Sequence, residues 1–309
     1  MTRRRLLVPI VAIATFVALA SGGAAAAAWL ASASVTANAS SATVATTLTQ
    51  AGSLTTTYRY AGTTSPTARG TLAIANTGRA PLTYTLANQL TGSSALAQKT
   101  TLQLWTGTCG PTPPSTGVVT TTLADPAPAL PSAARTITPG ATVTVCLATR
   151  ISGTDASAAN AALQGQSLTA VFRVTGAVGS DWTATADAAP FTQAAYRIDP
   201  AGAVACAGGR WGEVTLNWTA PANRVAGSPV TYRIFDTASG DTLDTVIADA
   251  ATASVTLGGY DLPRNGTFAL AVEARDATSG TTATATAPVS VIRTTPWNLG
   301  ILFPSLRCS

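Results

Sequence analysis

The side chains best suited to covalent, redox or metal chemistry in this 309-residue chain are four cysteines, Cys109, Cys146, Cys206 and Cys308, and thirteen carboxylates. There is no histidine. Ser-His-Asp and Cys-His catalysis, an H-E-x-x-H zinc site and an imidazole base are thereby excluded. Carboxylate chemistry stays open in principle, but between Met1 and Ser180 the only acids are Asp125 and Asp155, both in Pro- or Ala-rich sequence, so a glycosidase pair is not expected there. The acids of the second half are scattered along turns and strand edges, as solvated faces are. A non-histidine hydrolase is the least favoured reading and would need two close carboxylates among Asp236, Asp241 and Asp244.

Four cysteines allow three pairings, and spacing does not choose among them. Domain order suggests Cys109 with Cys146 and Cys206 with Cys308. With no C-x-x-C and no zinc-ribbon spacing, structural disulfides are expected, and no metal or cofactor.

The compartment follows from the first residues. Arg3, Arg4 and Arg5 precede an uncharged apolar run from Leu6 to Ala20 and small residues from Ser21 to Ala28, which reads as an export signal over residues 1–33. An uncleaved anchor is the alternative, because no charge occurs from Leu6 to Leu30, and it would be the chain's one link to a membrane. Without the three arginines, 18 basic residues become 15 against 13 acidic, so no nucleic-acid footprint is expected. The expected location is secreted or cell surface, where disulfides persist.

Hydrophobic residues are 46% of the chain, while aromatics are 6% and charges 10%, with Thr and Ala alternating against Val, Leu, Ile and Tyr. Such alternation predicts strands. In the first half they are expected near 54–60, 70–75, 81–86, 101–105, 142–147, 167–174 and 182–186, with Leu72, Ile74, Leu82, Tyr84, Leu86, Val143, Val145 and Leu147 facing inward. Asn76-Thr77-Gly78 and Pro139-Gly140 supply turns. Gly107 to Pro131, with six prolines, reads as a long loop, either a spacer or a contact surface edged by Trp105, and Asp155 to Gln166 as a short helix.

Two resemblances can be stated on particular residues. The export segment running into Ala28-Trp29-Leu30-Ala31, with Gly70-Thr71-Leu72-Ala73-Ile74-Ala75-Asn76-Thr77-Gly78, Pro81 and Tyr84, resembles exported proteins of the TasA and camelysin type over roughly residues 1–190. That resemblance implies a SipW-type signal and a cell-surface or biofilm-matrix protein, some members forming fibres. The metalloprotease activity described for camelysins is not carried over to a chain without histidine. From Trp211 onward, Val214 to Pro221, Val230 to Phe235, Ser254 to Leu257 and Phe268 to Ala274 resemble a fibronectin type III domain, with Trp218 as its early core tryptophan. Phe268 stands where that family has its corner tyrosine, without the hydroxyl.

The expectation is an all-β chain of two antiparallel β-sandwiches in tandem after the export segment. The first, jelly-roll-like, covers 34–187; 188–209 is a linker; the second, fibronectin type III or Ig-like, covers 210–309 with a tail folding back. The expected function is non-catalytic, structural or adhesive, with self, other surface or matrix proteins, or glycans as partners. One version is strand exchange through residues 34–48, although this segment is favoured to be simply the first strand of its own sandwich or a disordered leader. A second reading is a binding module for a glycan or protein, using exposed aromatics at Trp105, Trp211 or Trp297.

Overall fold

A computed structural model describes residues 42–59, 66–152, 162–295, 297–298 and 301–309. The export segment at 1–33, most of the strand-exchange segment and residues 155–161 of the expected helix lie outside the described residues, and the rest of that expected helix, 162–166, forms a turn rather than a helix. Among the described residues no helix is long and apolar enough to cross a membrane.

The fold is all-β, with two antiparallel sandwiches. The strands of the first are β1 (Thr46–Ser53), β2 (Thr56–Tyr58), β3 (Ala68–Asn76), β4 (Leu82–Gly92), β5 (Thr100–Thr106), β6 (Val119–Thr122), β7 (Thr136–Ile137), β8 (Thr142–Ile151), β9 (Ser167–Val178), β10 (Trp182–Asp187) and β11 (Phe191–Ala195). One sheet runs β1-β3-β8-β5-β6 and the other β2-β11-β9-β4-β7, with β10 also on β9. Period-two alternation selects the buried face: Leu72 and Ile74 of β3, Leu82, Tyr84 and Leu86 of β4, and Val145 and Leu147 of β8 all point into one core, with Val143 at its margin. The Asn76-Thr77-Gly78 turn is held by a buried Asn76, whose Nδ2 donates to the carbonyls of Ala80 (2.8 Å) and Ile137 (2.9 Å) while Oδ1 accepts from Gly78 N. The one described α-helix, α1 (Ser94–Lys99), is capped by Ser93 and bridges β4 to β5. Sequence periodicity did not signal it because it is only six residues long.

The two sheets of this sandwich are also tied by a buried polar bridge. Thr149 on β8 accepts from the Tyr58 hydroxyl (2.8 Å) on β2 and from Gln193 Nε2 (2.7 Å) on β11, and Gln193 Nε2 also donates to the Leu54 carbonyl (3.1 Å). Burial without these partners would cost each group about 1–3 kcal/mol.

The second sandwich is built from β12 (Ala205–Gly208), β13 (Val214–Thr219), β14 (Val230–Asp236), β15 (Thr242–Ala248), β16 (Thr252–Leu257), β17 (Gly266–Asp276), β18 (Val289–Thr294) and β21 (Ser305–Cys308). Between the last two, β19 (Trp297–Asn298) and β20 (Ile301–Leu302) form a small hairpin. Its sheets run β12-β13-β16 and β15-β14-β17-β18-β21. Trp218, 2% exposed, meets Tyr232 edge to face at 5.3 Å across this core, and Phe268 is buried in it.

Three expectations need correction. The stretch 188–209 is not a linker: β11 and Ala195 belong to the first core, while Tyr196, Ile198 and Ala201 are buried in the second. Its prolines and glycines punctuate strands rather than space them. Gly107 to Pro131 is not one loop either, because β6 pairs with β5, and Leu123 and Leu130 enter the first core. Residues 46–48 of the strand-exchange segment are part of β1, paired with β3 from Leu48↔Ile74 to Thr46↔Asn76.

Neighbouring residues thus commit to different cores, and the joint is tight. Arg59 lies 4.6 Å over the Tyr196 ring and donates to the Asn223 carbonyl, which also accepts from the Tyr196 hydroxyl (3.3 Å). Burial, reinforced by Asp276, pushes the Tyr196 phenol up to about 12, and burial raises Tyr58 further despite its bond to Thr149. An unfolded tyrosine titrates near 10. The stability held in these neutral phenols is therefore complete below about pH 10 and is lost as pH rises toward about 12. The expected result is a Tm that falls over that window, with a shallower fall in Tyr58→Phe and Tyr196→Phe variants, measured by thermal unfolding across pH.

Candidate contact surfaces

Of the three tryptophans singled out by sequence, Trp105 is a correction. It is 1% exposed. It stands on the outer face of the first sheet, where β5 and β8 pair Trp105 with Cys146, and the chain after β5 folds back over that face. Trp105 packs with Cys146, Ala148 and Val118 in a small satellite core, and its indole donates to the Thr108 carbonyl (3.2 Å). Cys109 is disulfide-bonded to Cys146, so the same segment is fastened covalently beside the indole. An aromatic on an outward-facing position reads as exposed until the loop above it is known.

Trp211 is the opposite case, 94% exposed. It lies in a tight turn, Arg210–Gly212, with φ +61°, the one described residue other than glycine in the left-handed region. For a bulky side chain that conformation is a true outlier. The next residue, Gly212, lies against the tail: a Cβ there would fall 2.4 Å from that of Ser305. On another loop, a Cβ at Gly259 would fall 2.1 Å from the Pro304 carbonyl oxygen. Both glycines are required by the close passage of the tail. Trp211, Tyr260 (78% exposed) and Phe303 (57%) are thus each chain neighbours of residues in this one contact around Pro304 and Ser305.

Two features hold the tail there. β21 pairs antiparallel with β18, from Val291↔Cys308 to Thr294↔Ser305, and Cys308 is disulfide-bonded to Cys206 on β12 of the opposite sheet. Arg293 on β18 donates to the Gly259 carbonyl (2.6 Å) and to Asn265 (3.0 Å), fixing the Tyr260 loop. Trp297 opens β19, and its side chain lies outside the described residues, as does Leu299. Tyr260 escaped sequence reasoning; the Gly258-Gly259 pair before it was the available signal.

Two of the three carboxylates named for a hydrolase, Asp236 and Asp244, are occupied locally. Asp236 accepts from Ala238 N (3.3 Å) and Ser239 Oγ (3.2 Å) in its own turn, and Asp244 accepts from Thr245 N. Among the described residues no group of three or more Cys, Asp or Glu is placed to hold a metal.

No protein-family model matches the chain, and no curated protein matches it. Solved structures similar to it include the FN1–FN3 domains of chicken CNTN1 (8% identity, 72% of this chain and 62% of that one, TM-score 0.25). Others are the BSP domain of a biofilm associated protein (12%, 87% and 52%, TM-score 0.28) and a two fibronectin type III domain segment from chicken tenascin (13%, 75% and 97%, TM-score 0.23). The chain spans about three-fifths of the CNTN1 fragment and about half of the biofilm one. Scores this low carry no argument, so the fibronectin type III-like fold of the second sandwich rests on its own strand order and its Trp218–Tyr232 core. None of these findings supports the TasA and camelysin resemblance.

If Trp105 is a packing residue, Trp105→Ala should cost about 3–5 kcal/mol of unfolding free energy in denaturant titration. An exposed contact tryptophan would change it by less than about 0.5 kcal/mol.

Proposed function

We propose that this chain is an exported, non-catalytic adhesive protein of the cell surface or extracellular matrix, with the aromatic end of its second sandwich as contact surface. The observation that carries this reading is Trp211: a large apolar side chain, 94% exposed, on a backbone with φ +61°. The left-handed conformation costs an L-residue roughly 1–2 kcal/mol, which glycine would not incur. Its indole gains little burial in return, and strain of this kind is found where a side chain is held for a ligand. Tyr260 and Phe303, each next in sequence to a residue of the same tail contact, supply further exposed aromatic area, the kind that anchors protein and saccharide contacts.

Export is supported by the basic-apolar-small order of residues 1–33 and by two disulfides, which persist outside the cytoplasm. A matrix role of the TasA kind rests on the sequence resemblance alone. Strand exchange is disfavoured for residues 46–48, since donating them would unpair β1 from β3.

The test combines binding with stability. Trp211→Gly in the full oxidised chain should raise the unfolding free energy by about 1 kcal/mol, because it relieves the backbone. The same variant should sediment at least tenfold less with purified cell envelopes. Unchanged sedimentation in Trp211→Gly combined with Tyr260→Ala and Phe303→Ala would overturn the assignment.

A further inference from the structure

The first sandwich carries a second surface, remote in sequence from the aromatic end. Register across the outer face of its first sheet puts Arg69, Ala148, Gln103 and Thr120 in one transverse row over β3, β8, β5 and β6. The row beyond contains Thr71, Cys146 and Trp105, where the disulfide fastens the loop. On the other side stands Arg150, opposite Thr101. The smallest side chain, Ala148, sits in the middle, so the row sags at its centre. The loop, pinned at one row, arches over the next.

The result is a groove of about 600 Å³, floored by Ala148, Gln103 and Thr120 and walled by Pro111 to Ser115. That volume is in the range of small-ligand sites. Arg69 and Arg150 both line it, and none of its lining residues is acidic. Arg69 donates to the Pro111 carbonyl, which uses part of its five-donor fork and sets the loop height. Arg150 is exposed and makes no hydrogen bond or ion pair with any described residue. Arg69 also lines a smaller depression of about 210 Å³ next to the disulfide, so the cationic strip continues past the loop's anchor.

We infer that this groove binds an acidic saccharide, with a carboxylate of the sugar held by Arg150 and Arg69. Two guanidinium groups in a groove whose described lining holds no carboxylate fit an anion, and Arg pairs with carboxylate through two parallel hydrogen bonds. Thr67, Thr112, Ser115, Thr120 and Gln103 offer the short hydroxyl and amide partners that a many-hydroxyl ligand needs. The proline rings give flat apolar surface for ring faces.

Calorimetric titration of the full oxidised chain with an oligogalacturonide tests this. Binding is expected for the oligogalacturonide and not for the neutral oligogalactoside, and it should weaken with added salt. Arg150→Gln should lower affinity at least tenfold with Tm unchanged, Arg150→Lys should recover part of it, and Trp211→Gly should leave it intact. No binding by the parent chain, equal affinity for Arg150→Gln, or equal binding of oligoglutamate of matched charge would each overturn the assignment. The outcome is independent of envelope binding through the aromatic end.

Discussion

The second sandwich depends on one cross-link. Cys206 lies on the edge strand of one sheet and Cys308 on the edge strand of the other, so their disulfide closes the side of the sandwich that strand pairing leaves open. Cα atoms 5.8 Å apart also fix where the tail must run. With β21 zipped to β18, Pro304 and Ser305 pass closely against Gly259 and Gly212. The aromatic end is thus a consequence of edge closure. In the chain-entropy account, closing a loop of 102 residues contributes roughly 4–5 kcal/mol, comparable to a good part of a domain's net stability.

The first disulfide works over a shorter loop and to a different end. Joining Cys109 to Cys146 does not bridge the sheets; it presses a loop onto an outer sheet face, with Trp105 as the apolar filling. One residue type therefore performs two tasks, closing an edge and roofing a face. Between the sandwiches, burial switches core from Ala195 to Tyr196 without a spacer, and Asn223 reinforces the step by accepting from Arg59 and Tyr196. The two proposed contact surfaces are thereby carried on sandwiches joined with no spacer residue between their cores.

Much of the strand content was legible because alternation is local. Leu72, Ile74, Val145, Leu147 and Trp218 bury where period-two spacing puts them. What the sequence did not disclose was nonlocal. β6 and β11 lie in stretches rich in Pro, Gly and polar residues, and only pairing with β5 and β9 makes them strands. Trp105 faces outward by alternation and is covered by a loop whose path depends on a disulfide. Arg69 and Arg150 stand 81 positions apart, and strand register alone brings them to one groove. Trp211 was legible as a candidate, but its left-handed backbone was not, since a tryptophan gives no sequence signal for a positive φ.

The central claim is that the tethered tail builds the contact surface. The direct measurement is hydrogen exchange of the full chain carrying Cys206→Ser and Cys308→Ser, read alongside its sedimentation with cell envelopes. The account predicts that protection of the amides at 305–308 and envelope binding are lost together, while β3, β8 and β9 keep their protection. Envelope binding that persists after the tail amides exchange freely would contradict it.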